Sequence, residues 1–318
     1  MLSTLARART WLAQVPPQLR ATILIVFSTL CFTGMHTVIR YAATVGDTIH
    51  PFEIAFFRNF FGLLVMLPFF WRHGLGVFRT SKFHLHAVRG SIQIFAMLMF
   101  FTALSLSPLA KVSAMSFTAP LFATIGAIVF LGERVRARRI VALVAGFVGA
   151  MIVLRPGVVE VDLGMLLVLT SSAIWACAML IIKVLSRTDS SVTITAYQGL
   201  FLTPFSFVAA LFVWQWPNAE QLLLFAFMGA LGTLAHMAMA ESFKLADTTA
   251  ILPFDFTRLI WASAIGFLVF GEVPALWTWV GGTIIFGSTT YIAYREARLK
   301  RIKAAQQPPA DGSRPDGG

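Results

Sequence analysis

The sequence predicts an all-α integral membrane protein with ten transmembrane helices, arranged as two five-helix repeats of opposite orientation. Three observations predict this fold class: a very apolar composition, ten apolar segments of near-membrane length, and an internal repeat. Of the 318 residues, 58% are hydrophobic and 12% are charged, whereas an ordinary soluble domain has about 25% charged residues. A soluble core of this size could not bury so much apolar surface, so lipid must solvate much of the chain.

The lengths of the apolar segments fit a bilayer. A helix needs about 20 mostly apolar residues to cross the hydrocarbon core, and barrel strands would instead alternate apolar and polar residues over about 10 positions. The fifth segment is short, and its start could lie earlier, among the arginines. The segments are Ala21–Ala43, Phe52–Trp71, Ala87–Leu106, Leu109–Leu131, Ile140–Leu154, Gly164–Leu185, Val192–Trp214, Gln221–Ala240, Thr249–Gly271 and Leu276–Tyr294.

The basic residues are distributed unevenly between the two ends of the predicted helices. The net charge is +11, and most of the 25 Lys and Arg residues fall near the termini or in alternate connections. Only Arg40, Lys111 and Arg155 are predicted on the opposite side. Because cytoplasmic loops of membrane proteins carry an excess of Lys and Arg, both termini are predicted to be cytoplasmic. The basic charge is thus a topology signal, and a nucleic-acid partner is not expected.

The two ends of the chain are predicted to lie outside the membrane. Residues 1–20 form a cytoplasmic segment and not a cleaved signal peptide, because the first apolar run is too long and lacks a cleavage motif. Residues 302–318 are rich in Pro, Gly, Ala and Asp, which predicts a disordered cytoplasmic tail. Cys31 and Cys177 both fall within predicted helices, so neither a disulfide framework nor a thiolate metal site is supported.

A short motif recurs 139 residues apart. Gly132-Glu133 ends the fourth predicted helix, and Gly271-Glu272 ends the ninth. These glutamates could be solvated, structural or involved in gating. Their placement in register indicates a duplicated unit before it indicates a site.

The same offset extends backwards along the chain, where Gly90 matches Gly229. Residues 21–155 and 164–295 are therefore predicted to be two copies of one five-helix unit. Because five is odd, the second copy must cross the membrane in the opposite orientation. Inverted repeats of this kind are typical of secondary transporters, in which each half can open to one side of a shared site.

The duplicated unit resembles the EamA family of drug/metabolite transporters. The resemblance rests on the two Gly-Glu motifs and the Ser107–Ser113 approach to the fourth helix, and it covers nearly the whole chain. It implies a permease of the bacterial inner membrane with a central cavity for a small metabolite. Phe57-Arg58-Asn59 and the segment Pro253–Arg258 resemble a subgroup that includes riboflavin and S-adenosylmethionine permeases. Riboflavin is the first substrate hypothesis, followed by S-adenosylmethionine and amino acids.

Ionisable residues inside apolar helices are the first candidates for the transport site. Such residues are costly in a bilayer and tend to face a cavity or each other. The second predicted helix contains Arg58, and the ninth contains Asp255 and Arg258. Asp255 and Arg258 are three residues apart and share one helical face. The pair could bridge packed helices or face a cavity, where Asp255 could also carry a proton.

Further candidates for substrate contact or coupling lie in the middle of apolar helices. Each histidine or glutamine could instead be a packing residue, and the two indoles suit stacking on a planar ligand or plain packing. Two prolines could break helices and expose backbone polar groups at the site. These residues are His36, His236, Gln93, Gln198, Trp175, Trp261, Pro253 and Pro120.

Two other function classes remain to be weighed against a transporter. A membrane-embedded enzyme is disfavoured, because the sequence has no zincin histidine pair, no Gly-x-Ser-x-Gly motif and no phosphate-binding Gly-Lys loop. A channel is disfavoured because the short connections offer no filter segment. No cofactor, metal site or ATPase motif is predicted, so a gradient or an exchange would drive transport. The sequence does not decide the direction of transport or the oligomeric state.

Overall fold

The computed structural model describes residues 16–131, 137–155, 162–185, 188–245 and 254–306. All regular structure in these ranges is helical. A short 3-10 helix spans Gly74–Phe78. The α-helices are α1 (Pro17–Thr44), α2 (Pro51–His73), α3 (Phe83–Leu106), α4 (Leu109–Ser116), α5 (Ala119–Leu131), α6 (Ala137–Leu154), α7 (Leu163–Leu185), α8 (Ser191–Leu211), α9 (Ala219–Leu245), α10 (Thr257–Phe270) and α11 (Leu276–Gln306).

The helices have the lengths and surfaces of a multi-pass membrane protein. Five of the described helices are long and apolar enough to cross a bilayer, and three further apolar helices are shorter. Large apolar side chains such as Val141, Phe227 and Leu268 remain exposed on the outer surface of the bundle. An exposed apolar surface of this extent requires lipid as its solvent.

The segment predicted as one fourth helix is divided into α4 and α5. The break lies at Phe117-Thr118, and Pro120 occupies the first turn of α5. A proline there has no N–H to donate to the carbonyl four residues earlier, but it is well accommodated near a helix start. The Thr118 hydroxyl donates to the Met115 carbonyl at 2.7 Å, and the Thr118 carbonyl accepts from the Leu121 N–H at 2.9 Å. The sequence therefore interrupts this helix near mid-segment.

The Gly-Glu motif after α10 has a structural cause. Gly271 has a φ of +68°, in the left-handed region where glycine carries no Cβ penalty. Its N–H bonds the Phe267 carbonyl at 2.9 Å, and the Glu272 N–H bonds the Gly266 carbonyl at 3.1 Å. The bond from the Gly271 N–H to the Phe267 carbonyl closes the helix as an αL motif. It turns the chain so that Glu272 points back onto the bundle.

The packing of the helices reflects the duplication. The first helices of the two repeats are α1 and α7, and the third helices are α3 and α9. The first helix of each repeat packs against the third helix of the other, so that α1 contacts α9 and α7 contacts α3. In the same way α2 packs on α9 while α8 packs on α3, and α1 packs on α10 while α7 packs on α5. The helices α2 and α8 contact each other, as do α6 and α11. The two halves are thus related by an approximate two-fold exchange.

Two matched glycines allow close contacts in equivalent places. A Cβ added to Gly90 in α3 would lie 2.6 Å from the Phe201 Cβ in α8. A Cβ added to Gly229 in α9 would lie 2.6 Å from the Phe61 Cβ in α2. Side chains at these positions would push the helices apart, because real Cβ contacts are not this short. The spacing of 139 residues seen in the sequence therefore marks one packing contact made twice.

Several helix boundaries differ from the sequence prediction. The first helix begins at Pro17, four residues before the predicted start, and the fifth begins at Ala137, among the arginines. The last helix continues to Gln306, so residues 302–306 of the predicted tail are helical. Pro253, Glu133 and residues 307–318 lie outside the described residues. In the ninth predicted segment, Phe254 and Asp255 are helical, Phe256 lies in a turn, and α10 begins at Thr257.

Candidate functional site

A cavity of about 390 Å³ lies between helices of both halves. Its lining includes residues from α1, α2, α3, α7, α8, α9 and α10, so neither half forms it alone. Pockets for small ligands commonly measure about 300–1,000 Å³. Eight of the residues singled out from the sequence line this cavity: His36, Arg58, Gln93, Trp175, Gln198, His236, Asp255 and Arg258.

Trp261 is an aromatic residue singled out from the sequence that is not part of the cavity lining. Its indole Nε1 is buried and has no hydrogen-bond partner within the described ranges. Trp261 follows Arg258 by three residues on α10, but the cavity lining ends at Arg258. The expected stacking contact therefore rests on Trp175 in α7.

Asp255 and Arg258 form an ion pair at the cavity wall. Arg258 Nη2 donates to Asp255 Oδ1 at 2.9 Å, and both side chains are less than a third exposed. The Arg258 guanidinium also lies over the Phe32 ring, 5.5 Å from its centroid, where the ring face attracts a cation. Its Nε is buried without a hydrogen-bond partner in the described chain. The pair therefore lies within one segment of the chain and forms part of the cavity surface.

Phe32 is the centre of an aromatic cluster that includes both histidines. Its ring lies 6.4 Å from the His36 ring and 4.9 Å from the His236 ring. His36 also contacts Phe100 at 5.1 Å. The His236 Nδ1 carries a hydrogen, because it lies 2.7 Å from the Gly232 carbonyl oxygen, which can only accept. The two histidines therefore form part of the cavity wall together with flat apolar rings.

Arg58 and Gln198 each make a polar contact with another side chain. Arg58 Nη1 donates to Asn59 Oδ1 at 2.9 Å, and Asn59 Nδ2 donates to Ser206 Oγ at 3.2 Å. Gln198 Oε1 accepts from Arg89 Nη2 at 2.8 Å. Arg89 is 2% exposed, and this contact joins α3 to α8.

A second cavity of about 260 Å³ adjoins the first. Arg58, Gln198 and His236 line both cavities. The remaining lining of the second cavity includes Met66 and Glu241, which lie towards the predicted cytoplasmic ends of α2 and α9. The two cavities therefore share three polar side chains.

A polar network around Arg40 joins the two halves on the side of the bundle opposite to these predicted cytoplasmic ends. We call this side the Arg40 face. The Arg40 guanidinium donates to the Leu104 carbonyl at 2.8 Å, to the Ser107 carbonyl and to the Glu272 carboxylate. The same carboxylate accepts from the Leu109 N–H at 3.0 Å. The side chains of Arg40 and Glu272 are 13% and 15% exposed. Glu272 is therefore not a solvated residue but part of an interhelical contact.

Further contacts extend the network across the Arg40 face. The Ser107 hydroxyl donates to Asp162, whose carboxylate also lies 3.9 Å from Lys111 Nζ. Glu53, at the start of α2, is fully buried and accepts from the Gln215 N–H at 3.0 Å. Each of these contacts joins a residue of the first half to the second half or to the connection between them.

On the other face, which we call the Asp189 face, a smaller set of contacts joins the halves. Asp189 accepts hydrogen bonds from the Thr80 hydroxyl and from His86 Nε2, each at 2.7 Å. Burial acts to raise the pKa of the Asp189 carboxyl, but these hydrogen bonds outweigh it and hold the pKa below its usual range. The Tyr197 hydroxyl donates to the Phe78 carbonyl at 2.8 Å.

Several cavity residues were not predicted from the sequence. Phe32, Phe100 and Met97 line the cavity but are ordinary apolar residues in apolar helices. Ser171 and Ser172 in α7 also line it, and each is 3% exposed. Small hydroxyls in a transmembrane segment are a weak signal, because they often bond the preceding turn of their own helix. No group of residues capable of holding a metal ion occurs among the described residues.

Comparison with known proteins gives one consistent family. The model of the EamA-like transporter family matches residues 19–155 and again residues 162–294. A riboflavin transporter of Vibrio cholerae is 34% identical over 275 residues, covering 86% of this chain and 92% of that protein. An S-adenosylmethionine uptake transporter of Rickettsia bellii is 31% identical over 259 residues, covering 81% and 89%.

Further matches agree with these two. A riboflavin transporter of Rhizobium johnstonii is 33% identical over 251 residues, covering 79% of this chain and 83% of that protein. A solved crystal structure with 18% identity has a TM-score of 0.59 and covers 89% of this chain and 98% of its own. That structural likeness concerns the fold alone.

Proposed function

Because the chain belongs to the EamA-like transporter family and is a multi-pass membrane protein that transports metabolites, we propose that it imports riboflavin across the bacterial inner membrane. In this proposal ten helices span the membrane, both termini are cytoplasmic, and residues 21–155 and 164–295 are the two inverted repeats. The interchange of helix contacts between the halves supports the inverted arrangement.

The observation that carries the substrate proposal is the charge and shape of the main cavity. Among the described residues, its lining contains two guanidinium groups, Arg58 and Arg258, and one carboxylate, Asp255. The carboxylate already pairs with Arg258. A neutral, flat ring with carbonyl acceptors suits such a wall, because arginine donates hydrogen bonds and stacks on flat rings.

The main alternative is S-adenosylmethionine, which the Rickettsia relative is named for. Its sulfonium and ammonium groups give it net positive charge at neutral pH. Like charges enclosed in a low-dielectric site repel strongly, so a cavity with an excess of arginine over carboxylate disfavours it. The aromatic wall formed by Phe32, Phe100 and Trp175 favours a large planar ring in the same place.

Alternating access supplies the transport cycle in this proposal. The Arg40–Glu272 network closes the periplasmic side, and the second cavity leads from the site towards the cytoplasm. Release of that network, with closure at the Asp189 face, would expose the same site to the periplasm. No ATPase motif occurs in the sequence, so a gradient or an exchange drives the cycle.

Growth of a riboflavin-auxotrophic bacterium on low riboflavin tests the proposal. Expression of this protein should permit growth, and Arg258→Ala should abolish it at equal membrane expression. Arg298→Ala is the matched control, because Arg298 is exposed near the end of α11 and should leave growth unchanged. Absence of rescue by the wild-type protein, with membrane expression verified, would reject riboflavin import and make radiolabelled S-adenosylmethionine the next substrate to assay.

A further inference from the structure

Gln93 presents an unused hydrogen-bond acceptor inside the main cavity. It lies in α3, lines the cavity and is 4% exposed. Its amide oxygen Oε1 is buried and makes no hydrogen bond within the part of the chain that the structure describes. A buried acceptor without a partner is costly. Such a group in a binding cavity points to a donor supplied by the ligand.

The glutamine on the other side of the cavity differs in this respect. Gln198 in α8 also lines the cavity, but its Oε1 accepts a 2.8 Å hydrogen bond from Arg89. The protein therefore already uses the acceptor of Gln198, and the acceptor of Gln93 remains for a substrate. Asp255, another acceptor in the lining, is paired with Arg258.

The groups around Gln93 define the chemistry of its ligand. Arg58 and Arg258 supply donors to the same cavity, and the Nε of Arg258 is buried without a partner in the described residues. Phe100 and Trp175 supply flat apolar surface. An acceptor placed among donors and aromatic walls matches a flat heterocycle whose edge alternates carbonyl, N–H and carbonyl. That edge is an imide, and it occurs on the pyrimidine ring of riboflavin at N3.

We propose that Gln93 accepts the hydrogen bond of the imide N–H of the substrate, and that this contact makes the transporter select flavins with an unsubstituted N3. This proposal rests on the proposed riboflavin transport. It adds which edge of the flavin ring is recognised and which residue forms the hydrogen bond. A site built to bond an N–H discriminates strongly against analogues that lack it, because the buried acceptor is then left unpaired.

Competition between riboflavin and 3-methylriboflavin tests this proposal. Uptake of radiolabelled riboflavin is measured in cells that express the protein, with each unlabelled compound as competitor. For the wild-type protein, 3-methylriboflavin should compete at least about tenfold more weakly than riboflavin. In Gln93→Met, which keeps the length of the side chain but removes the acceptor, riboflavin should bind more weakly and the two competitors should become equal within about twofold.

Two further variants separate recognition from folding. Gln93→Glu keeps an acceptor oxygen at the same place, so it should retain the preference for riboflavin over 3-methylriboflavin. Gln18→Met is the matched control, because Gln18 is exposed at the start of α1 and should behave as wild type. The ratio of the two competitors is the readout, and a purely structural role of Gln93 would change expression or total uptake without changing that ratio.

The outcomes distinguish this proposal from the one on which it depends. Wild-type uptake of riboflavin with equal competition by both compounds would overturn the role of Gln93 and leave riboflavin import intact. A tenfold preference that persists in Gln93→Met would also overturn it. Absence of riboflavin uptake by the wild-type protein would overturn the proposed function, and the role of Gln93 with it.

Discussion

The contact between Arg40 and Glu272 should determine how often the cavity opens to the periplasm. Glu272→Gln keeps the shape of the side chain and an oxygen for the Leu109 N–H, but it removes the negative charge that faces Arg40. A hydrogen bond to a charged group contributes about 1.5–3 kcal/mol and a neutral one about 0.5–1.5 kcal/mol. The closed periplasmic side should therefore lose about 1–1.5 kcal/mol.

That loss converts into a change in the population of the open state. At about 1.4 kcal/mol per factor of ten, the fraction of molecules open to the periplasm should rise about 5- to 12-fold. Ser172 lines the cavity and is 3% exposed, so Ser172→Cys reports on access. It is placed in a background in which Cys31 and Cys177 are replaced by serine.

The assay is the rate at which a membrane-impermeant maleimide, added from the periplasmic side, labels Ser172→Cys. Glu272→Gln should raise this rate about 5- to 12-fold if opening limits the reaction. Glu220→Gln is the control, because Glu220 is an exposed residue of the first turn of α9. An unchanged or lower labelling rate in Glu272→Gln would refute the assignment of this contact as a periplasmic closure.

Three other changes have expected outcomes. Gly90→Ala should lower the thermal stability of the purified protein, because its Cβ would lie 2.6 Å from the Phe201 Cβ and overpacking costs about 1–3 kcal/mol. Gly287→Ala is the control. A Cβ at position 287 would have open space around it, so this variant should be neutral or stabilising. Asp255→Asn should abolish riboflavin uptake or make it independent of the proton gradient, as measured with a protonophore. Trp175→Ala should raise the KM for riboflavin uptake about 5-fold or more, because a ring contact is worth about 1 kcal/mol or more.

Each of these expectations has a contradicting result. A melting temperature of Gly90→Ala equal to that of the wild-type protein would show that α3 and α8 can separate without penalty. Normal uptake with normal gradient dependence in Asp255→Asn would remove this carboxylate from the mechanism. An unchanged KM in Trp175→Ala would place the flat ring of the substrate elsewhere in the cavity.

The sequence was most informative about residues that are costly in a bilayer. Arg58, Asp255 and Arg258 stand out because a charge in an apolar helix needs a partner or a cavity, and the fold brings all three to one cavity. The repeat was also visible, because Gly90 and Gly229 serve the same close contact in each half. Composition and repetition therefore predict the helical class and much of the candidate site.

Other features depend on contacts that no local pattern encodes. Arg89 and Glu272 lie near helix ends, where solvent is the simplest expectation, but the opposite half of the protein covers both. Phe32 is one of 30 phenylalanines and has no local signal for its central position beside His36 and His236. Which helix ends are covered, and which aromatic rings meet, is decided by packing between the halves.

Counterflow in proteoliposomes tests the central claim of riboflavin transport by alternating access most directly. Vesicles that contain the purified protein are loaded with unlabelled riboflavin and diluted into a trace of radiolabelled riboflavin. A carrier with one site exposed alternately to each side exchanges the two pools, so the label should accumulate transiently above its equilibrium level and then decline. Entry of label that rises only to equilibrium, without an overshoot and without saturation, would contradict the account and indicate a channel.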